Sequence, residues 1–392
     1  MNDTVKEQVN NTKHRKGVRA AAVILLIAAL LFSVWFMQTF MCIPFSCDEI
    51  RIINFHKEPE NSIDVLLIGS SATYSDFSSA YAYEKYGYTS FPYAIGGSTC
   101  TMWKPALKDA LKTQKPKLVV VDVFGGGYTR DMIDSRSNQL SIVFSHTAFS
   151  PELIESAAEA SALTEQSSTA GFIFPFIKYH NNVPACLPDL PDRLKLAVSG
   201  PSPLKGVFTN TRAHFLADVD PASFTDESAP IDEKTEAIIV DFIEYCKSED
   251  IEVLFAKYPS VLTEDRPDEM QVNLRANRIL EIAREHGYAT INMQKQFYDI
   301  GLDEAGDFYN HGHTNTRGQK KVTEFLGKYL QQEMGIGPSD LSSDLRSEWE
   351  TSVWYYHEYV KNADDMIEKD RQDEYYDSPK VVYELANGIK RP

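Results

Sequence analysis

Three short apolar runs limit this chain more than any other feature: "IDVLLIG" (Ile63 to Gly69), "KLVVVDVF" (Lys117 to Phe124) and "IEVLFAKY" (Ile251 to Tyr258). Each is bounded by polar or turn-forming residues, and none has the alternation of a strand with one wet face, so each reads as a buried strand. Helical periodicity fills the intervals: "WKPALKDALKT" precedes the second run and "KTEAIIVDFIEYCKSED" the third, while "VNLRANRILEIAREHG" precedes a short strand, "ATINM". Strands alternating with helices need crossover connections and a mostly parallel sheet covered on both faces. The predicted fold class is therefore α/β, a three-layer α/β/α sandwich. At 392 residues the chain has room for one large domain or two ordinary ones.

The alternation fades between Arg130 and Pro230, where prolines and clusters of Ser, Thr and Ala surround one apolar patch, "GFIFPFIKYH". This stretch, about 130–230, reads as an inserted cap over the sheet's edge. After Gly337 the chain turns acidic, and Leu345, Trp349, Val353, Tyr356 and Val360 recur at helical spacing, the mark of a helix packed on the body.

Ala20 to Met37 is an unbroken run of apolar or small residues, at the short end of what crosses a bilayer as a helix. Lys13, Arg15, Lys16 and Arg19 precede it, which places the N-terminus in the cytoplasm and the remainder outside. A cleaved signal peptide and a buried core helix are the rival readings. The length of the run, and "QTFMCIP" where a small-x-small cleavage site would stand, favour an uncleaved anchor in contact with the lipid bilayer. The expected division is a cytoplasmic tail (1–19), a transmembrane anchor (20–40), a linker (41–58), the α/β domain with its cap insertion (59–335) and an acidic helical segment (336–392). A formal net charge of −17 argues against a nucleic-acid partner, because phosphate binding depends on clustered Lys and Arg. Five cysteines, an odd number, leave at least one unpaired, and a small Cys42–Cys47 bridge is one option. No C-x-x-C and no H-E-x-x-H occurs, so neither a zinc site nor another cofactor is expected.

Sites in open parallel sheets form at the carboxyl ends of the strands. The first strand ends "IGSSATYSDF", which offers a Gly for a tight turn and two serines before a helix start. Ser70 or Ser71 serves there either as a helix cap or, in the case of Ser71, as a hydroxyl facing the crevice with its own N–H aimed at an incoming group. Far along the chain, "DFYNHGHTNTRG" brings His311 and His313 into a loop that enters a helix, since Val322, Phe325, Leu326, Tyr329 and Leu330 repeat at helical spacing. A serine hydroxyl becomes nucleophilic when a base within hydrogen-bond reach takes its proton, and a loop histidine at the same sheet end qualifies. His311 and His180 read as surface or supporting residues. "GGGYTRD" lacks the Lys and Ser or Thr of a phosphate loop.

"VLLIGSSATY", "FIFPFIKYH", "KTQKPKLVVVDVF" and "GDFYNHGHTNTRGQKKVTEFLGKYL" together resemble the membrane-anchored, bacterial cell-envelope branch of the SGNH (GDSL-type) hydrolase superfamily over about Ile63 to Leu330. The nearest likeness is to teichoic acid D-alanylation and alginate-type O-acetylation proteins. The resemblance implies Ser71 as nucleophile and His313 as base, with oxyanion donors at the Ser71 N–H and at Thr99 or Gly97. Where the family has a carboxylate three residues before the histidine, this chain has Asn310, so either Asn310 or Asp307 orients the imidazole. The family's oxyanion asparagine is replaced by "GGG". The expected function is a membrane-anchored serine esterase or O-acyltransferase acting on acyl esters of an envelope polysaccharide or teichoic-acid-like polymer. The alternative is a catalytically weak or silent partner of a membrane-bound acyltransferase.

Overall fold

The computed structural model describes residues 3–372 except 44, 137–138, 165–167 and 214–217, with side chains described over 14–369 of that range. Lys13 of the basic flank and the last part of the acidic segment thus lie outside the described side chains. The described part divides into two compact units, one of residues 1–45 and 174–198, the other of 46–173 and 199–392.

The larger unit is built on a five-stranded parallel sheet: β1 (Val65–Gly69), β2 (Ser90–Ala94), β3 (Leu118–Asp122), β4 (Val253–Lys257) and β5 (Ala289–Asn292), in the order β2-β1-β3-β4-β5. Neighbouring strands run in matched register, for example Val65 beside Leu118 and Val119 beside Val253. Alternate side chains of each strand enter opposite cores. Leu66, Ile68, Val119, Val121, Val253 and Phe255 pack with Trp103, Phe242 and Ile279 on one face. On the other, Val65, Leu67, Leu118, Val120, Leu254 and Ala256 pack with Phe77, Val322 and Leu326. Those two cores are the two interfaces of a three-layer α/β/α sandwich, as the alternation of strands and helices requires.

The edge strand β2 was not picked out from the sequence, and it contains Pro92, which a central strand would not tolerate. Proline is tolerated there since β2 pairs with β1 alone and its other edge needs no ladder donor. A small antiparallel hairpin, β6 (Phe308–Asn310) and β7 (His313–Thr314), leads into the helix Thr316–Gln332. Among its described residues the stretch 130–230 holds helices and no strand. The acidic segment begins with the helix Ser343–Val360, which buries Trp349 and Tyr356 against Tyr83 and Tyr81. Cys42 and Cys47 are not joined, so the small bridge offered by the sequence is absent.

In the smaller unit one helix, Asp3–Met41, includes a stretch, His14–Met41, that is apolar and long enough to cross a membrane, and none of its most apolar window is buried in the protein.

Candidate active site

Gly69 ends β1 where no larger residue fits: a Cβ there would stand 2.3 Å from Thr73 Oγ1 and 2.4 Å from Asp122 Cβ. This close approach brings the helix Ser71–Ser75 directly over the end of β3. Ser70 occupies the cap position but does not cap with its hydroxyl, which donates to Asp122 Oδ2 at 2.6 Å, while its N–H donates to the same oxygen at 3.2 Å. Asp122 also accepts from the Phe124 N–H at 3.0 Å. Burial raises its pKa, and these donors oppose the rise. The two serines therefore have separate tasks, Ser70 fixing the turn and Ser71 projecting outward.

Ser71 Oγ lies 2.6 Å from His313 Nε2, and His313 Nδ1 lies 2.7 Å from Asn310 Oδ1. The hairpin explains the second contact. Asn310 and His313 are register partners across a two-residue turn, so their side chains start as direct cross-strand neighbours. The Gly312 N–H donates to the same Asn310 oxygen at 3.0 Å, which turns the amide oxygen toward the ring. Nδ1 must then carry the proton and Nε2 is left to accept one from Ser71. Tyr309 stacks on the imidazole, with ring centroids 5.5 Å apart. Withdrawal of water from the ring pushes the His313 pKa from 6.5 down to about 4, so the imidazole is neutral near pH 7.

A second buried carboxylate joins the two halves of the site. Asp76, just past the end of the Ser71 helix, accepts from the Thr314 N–H at 2.9 Å and from Thr314 Oγ1 at 3.0 Å. Burial raises its pKa well above the usual carboxylate value, against those donors. Neither Asp76 nor Asp122 was singled out from the sequence, although an aspartate closing a parallel strand in "VVVDVF" was a usable signal.

Asp307 is placed elsewhere. Its carboxylate accepts from Lys321 Nζ at 2.6 Å and from the Asp303 N–H at 2.8 Å. His311 reaches the same cleft as His313, and its carbonyl accepts from the Val261 N–H at 2.7 Å. His180, in the other unit, is exposed and its Nδ1 lies 3.3 Å from the Ile177 carbonyl.

Ser71, Asn310 and His313 open on a cleft of about 740 Å³, within the usual range for ligand sites. Phe124, Tyr128, Tyr258, Leu262 and Val272 give it apolar walls, and Arg136, Arg266 and Arg275 give it charge. Arg266 pairs with Glu269 at 2.5 Å, and Arg275 donates to the Gly127 carbonyl at 2.5 Å. Arg136 lies over the Tyr128 ring, 4.5 Å from its centroid, and has no carboxylate partner among the described residues. Nothing in "RDMIDSR" marked it in advance.

Thr99 and Gly97 do not line the cleft among its described residues. Thr99 is buried, with its hydroxyl 2.9 Å from Thr101 Oγ1. Gly97 adopts a left-handed backbone (φ +64°), and a Cβ on it would stand 2.8 Å from the Arg136 guanidinium, so it abuts a cleft residue. The triglycine is a packing device: a Cβ on Gly125 would meet the Ser98 carbonyl at 2.2 Å, and one on Gly127 the Val272 carbonyl at 2.5 Å.

No family model matches the chain, and no curated protein matches it in sequence. Among solved structures it is similar to a catalytic mutant of Axe2, an acetylxylan esterase from Geobacillus stearothermophilus, at 11% identity and a TM-score of 0.36, covering 73% of this chain and 100% of that one. It is also similar to an active-site mutant of a family two carbohydrate esterase from Clostridium thermocellum, at 8% identity and a TM-score of 0.33, covering 71% and 65%.

Proposed function

We propose that the chain is a serine esterase or O-acyltransferase, with Ser71 as nucleophile, His313 as base and Asn310 as the residue that orients the base. The observation that carries this reading is the relay from Ser71 Oγ to His313 Nε2 and from Nδ1 to Asn310 Oδ1, at 2.6 and 2.7 Å. Ser71 Oγ attacks the ester carbonyl carbon as its proton passes to Nε2. The C=O electron pair moves onto oxygen, beside the Ser71 N–H, the first donor of a helix and one that no helix carbonyl meets. Collapse expels the alcohol, which leaves with the proton held on Nε2. Water or a second alcohol then repeats the sequence on the acyl-serine.

In this reading the Ser71 N–H is the oxyanion donor that faces the cleft; neither Gly97 nor Thr99 lines it among its described residues, and the Arg136 guanidinium on the cleft wall adds positive charge. Asn310 is neutral, so the imidazolium formed during attack gains no ion pair, and the chemistry is slower than with a carboxylate.

The substrate class is an acyl ester of an extracytoplasmic polysaccharide or teichoic-acid-like polymer in a bacterial envelope, reached by a body tethered through the apolar N-terminal helix. The neutral Asn310 also favours a second reading, a catalytically silent partner of a membrane acyltransferase. A serine-directed fluorophosphonate separates the two. Labelling at Ser71 that vanishes in His313→Ala supports catalysis, and an unlabelled, folded chain supports the silent partner.

A further inference from the structure

The stretch 174–198 was read from the sequence as part of a cap, but in the structure it belongs to the same compact unit as the apolar helix. It folds into short helices, Pro175–Tyr179, Val183–Cys186 and Leu190–Val198. Three of its side chains fasten it to the chain just past that helix: Asn182 Nδ2 donates to the Cys42 carbonyl at 3.2 Å, Cys186 Sγ lies 3.5 Å from the Ile43 carbonyl, and Arg193 also donates to Ile43. The Arg193 guanidinium covers the Phe45 ring at 5.1 Å.

Its exposed surface is unlike the rest of the molecule. Outside the apolar helix, ten large apolar side chains are exposed among the described residues, and six of them fall in this stretch: Phe174, Phe176, Ile177, Leu187, Leu194 and Val198. Val198 is 87% exposed. Such a density in 25 residues is what water-facing surfaces avoid and what interfacial helices present to lipid.

Depth along the apolar helix tells which surface covers them. Counting from Ala20, the first residue after the basic flank, about 20 residues at roughly 1.5 Å each cross the roughly 30 Å of hydrocarbon and end near Thr39. Cys42 and Ile43, the points of attachment, follow within about one helical turn, at the level of the headgroups. Trp35, Phe36 and Phe40 cluster just below, where aromatic side chains favour the interface. Lys178 and Lys195 balance Asp189 and Asp192, and Arg193 is buried, so the exposed face of the stretch opposes no anionic lipid and binds through its apolar side chains.

We propose that residues 174–198 form a membrane-interface collar whose apolar side chains insert into the outer leaflet around the exit of the anchor. This rests on the anchor reading above. The occupant is lipid; the apolar surface of a partner protein is the competing outcome.

The full chain reconstituted in nanodiscs of phosphatidylethanolamine and phosphatidylglycerol, doped with a lipid carrying a diazirine in its acyl chain, provides the test. After irradiation and peptide mapping, adducts are expected within 20–37 and within 174–198. Ile177→Asp/Leu194→Asp/Val198→Asp should cut the second set on the order of tenfold and leave the first. Fluorophosphonate labelling of Ser71 reports whether the variant's body is folded, and the single Val198→Asp variant, at an open position, repeats the test with least disturbance. Adducts on the anchor alone overturn the collar while keeping the anchor, and point to a protein partner. Adducts on 174–198 that survive the aspartates also overturn it. Absence of adducts at both places instead overturns the anchor reading.

Discussion

Replacing Asn310 with Asp changes the charge beside the base while keeping its geometry. In the native site the amide oxygen accepts from His313 Nδ1 and from the Gly312 N–H, and a carboxylate oxygen accepts from both equally well. A carboxylate and an imidazolium with charge centres about 4 Å apart interact by about 4 kcal/mol at an effective dielectric near 20. At 1.36 kcal/mol per unit that is an upper limit of about 3 pKa units, and measured neighbours of this kind shift by roughly 1 to 3. His313 starts at about 4 because of water withdrawal. Asn310→Asp should therefore bring it to between about 5 and 7. The sign follows from the need for a neutral base: the acid limb moves to higher pH, so the variant loses a larger share of its own plateau at pH 5 than the native chain does. The plateau itself should rise, because the imidazolium formed during attack gains a counter-charge. The pH dependence of fluorophosphonate inactivation measures both without knowledge of the natural substrate, and proton NMR of the ring, assigned with His313→Ala, measures the pKa directly. An acid limb that stays in place or moves down refutes the claim that Asn310 governs the base.

In the native chain, the same inactivation rate should stay flat from neutral pH to about 5 and fall only toward about 4, well below an ordinary histidine; a midpoint at 6.5 contradicts the site's exclusion of water. Ser71→Ala and His313→Ala should each abolish turnover of a small acetyl ester, with the double variant little worse than either, while His311→Ala keeps turnover within about tenfold; additive losses show that the pair does not act as a unit. Asn310→Ala should lower acylation by on the order of 10- to 10⁴-fold, whereas Asp307→Ala, which takes the acceptor from the Asp303 N–H and one partner from Lys321, should lower the Tm with a smaller effect on acylation. Gly127→Ala should cost roughly 1–3 kcal/mol in a urea titration, since its methyl meets the Val272 backbone; a neutral result shows that the neighbouring helix yields.

The sheet was legible because β1, β3 and β4 are buried on both faces and so are uniformly apolar, a pattern that needs no tertiary information. β2 was not, because whether Pro92 is tolerable depends on which strand lies at the edge, a property of topology alone. Ser71 and His313 could be paired on paper as residues at one end of a parallel sheet. The choice between Asn310 and Asp307 could not be made there: it turns on the hairpin that sets residue 310 opposite 313 and sends residue 307 toward Lys321. Spacing around "NHGH", three residues with a glycine between, was the available clue. Asp122 and Asp76 act through contacts with Ser70 and Thr314, the second of them 238 residues away, and no local pattern encodes such a partner. The composition of 174–198 suits a cap and a lipid-facing surface alike, since both are apolar, and does not choose between them.

The hairpin has a consequence for when the site comes into being. His313 and its orienting partner are three residues apart and arise together as soon as the turn closes, on the microsecond scale of hairpins. The contact with Ser71 spans 242 residues, and closing so long a loop is entropically costly until the intervening layers have condensed. Ribosomes deliver His313 242 residues after Ser71, and Asp76 has no Thr314 to hold until the last strand and the helix after it dock. A nascent or partly folded chain thus carries an unactivated serine. If Ser71 is the nucleophile proposed above, it becomes reactive only when the hairpin and the helix after it dock, so fluorophosphonate labelling during refolding doubles as a clock for that docking.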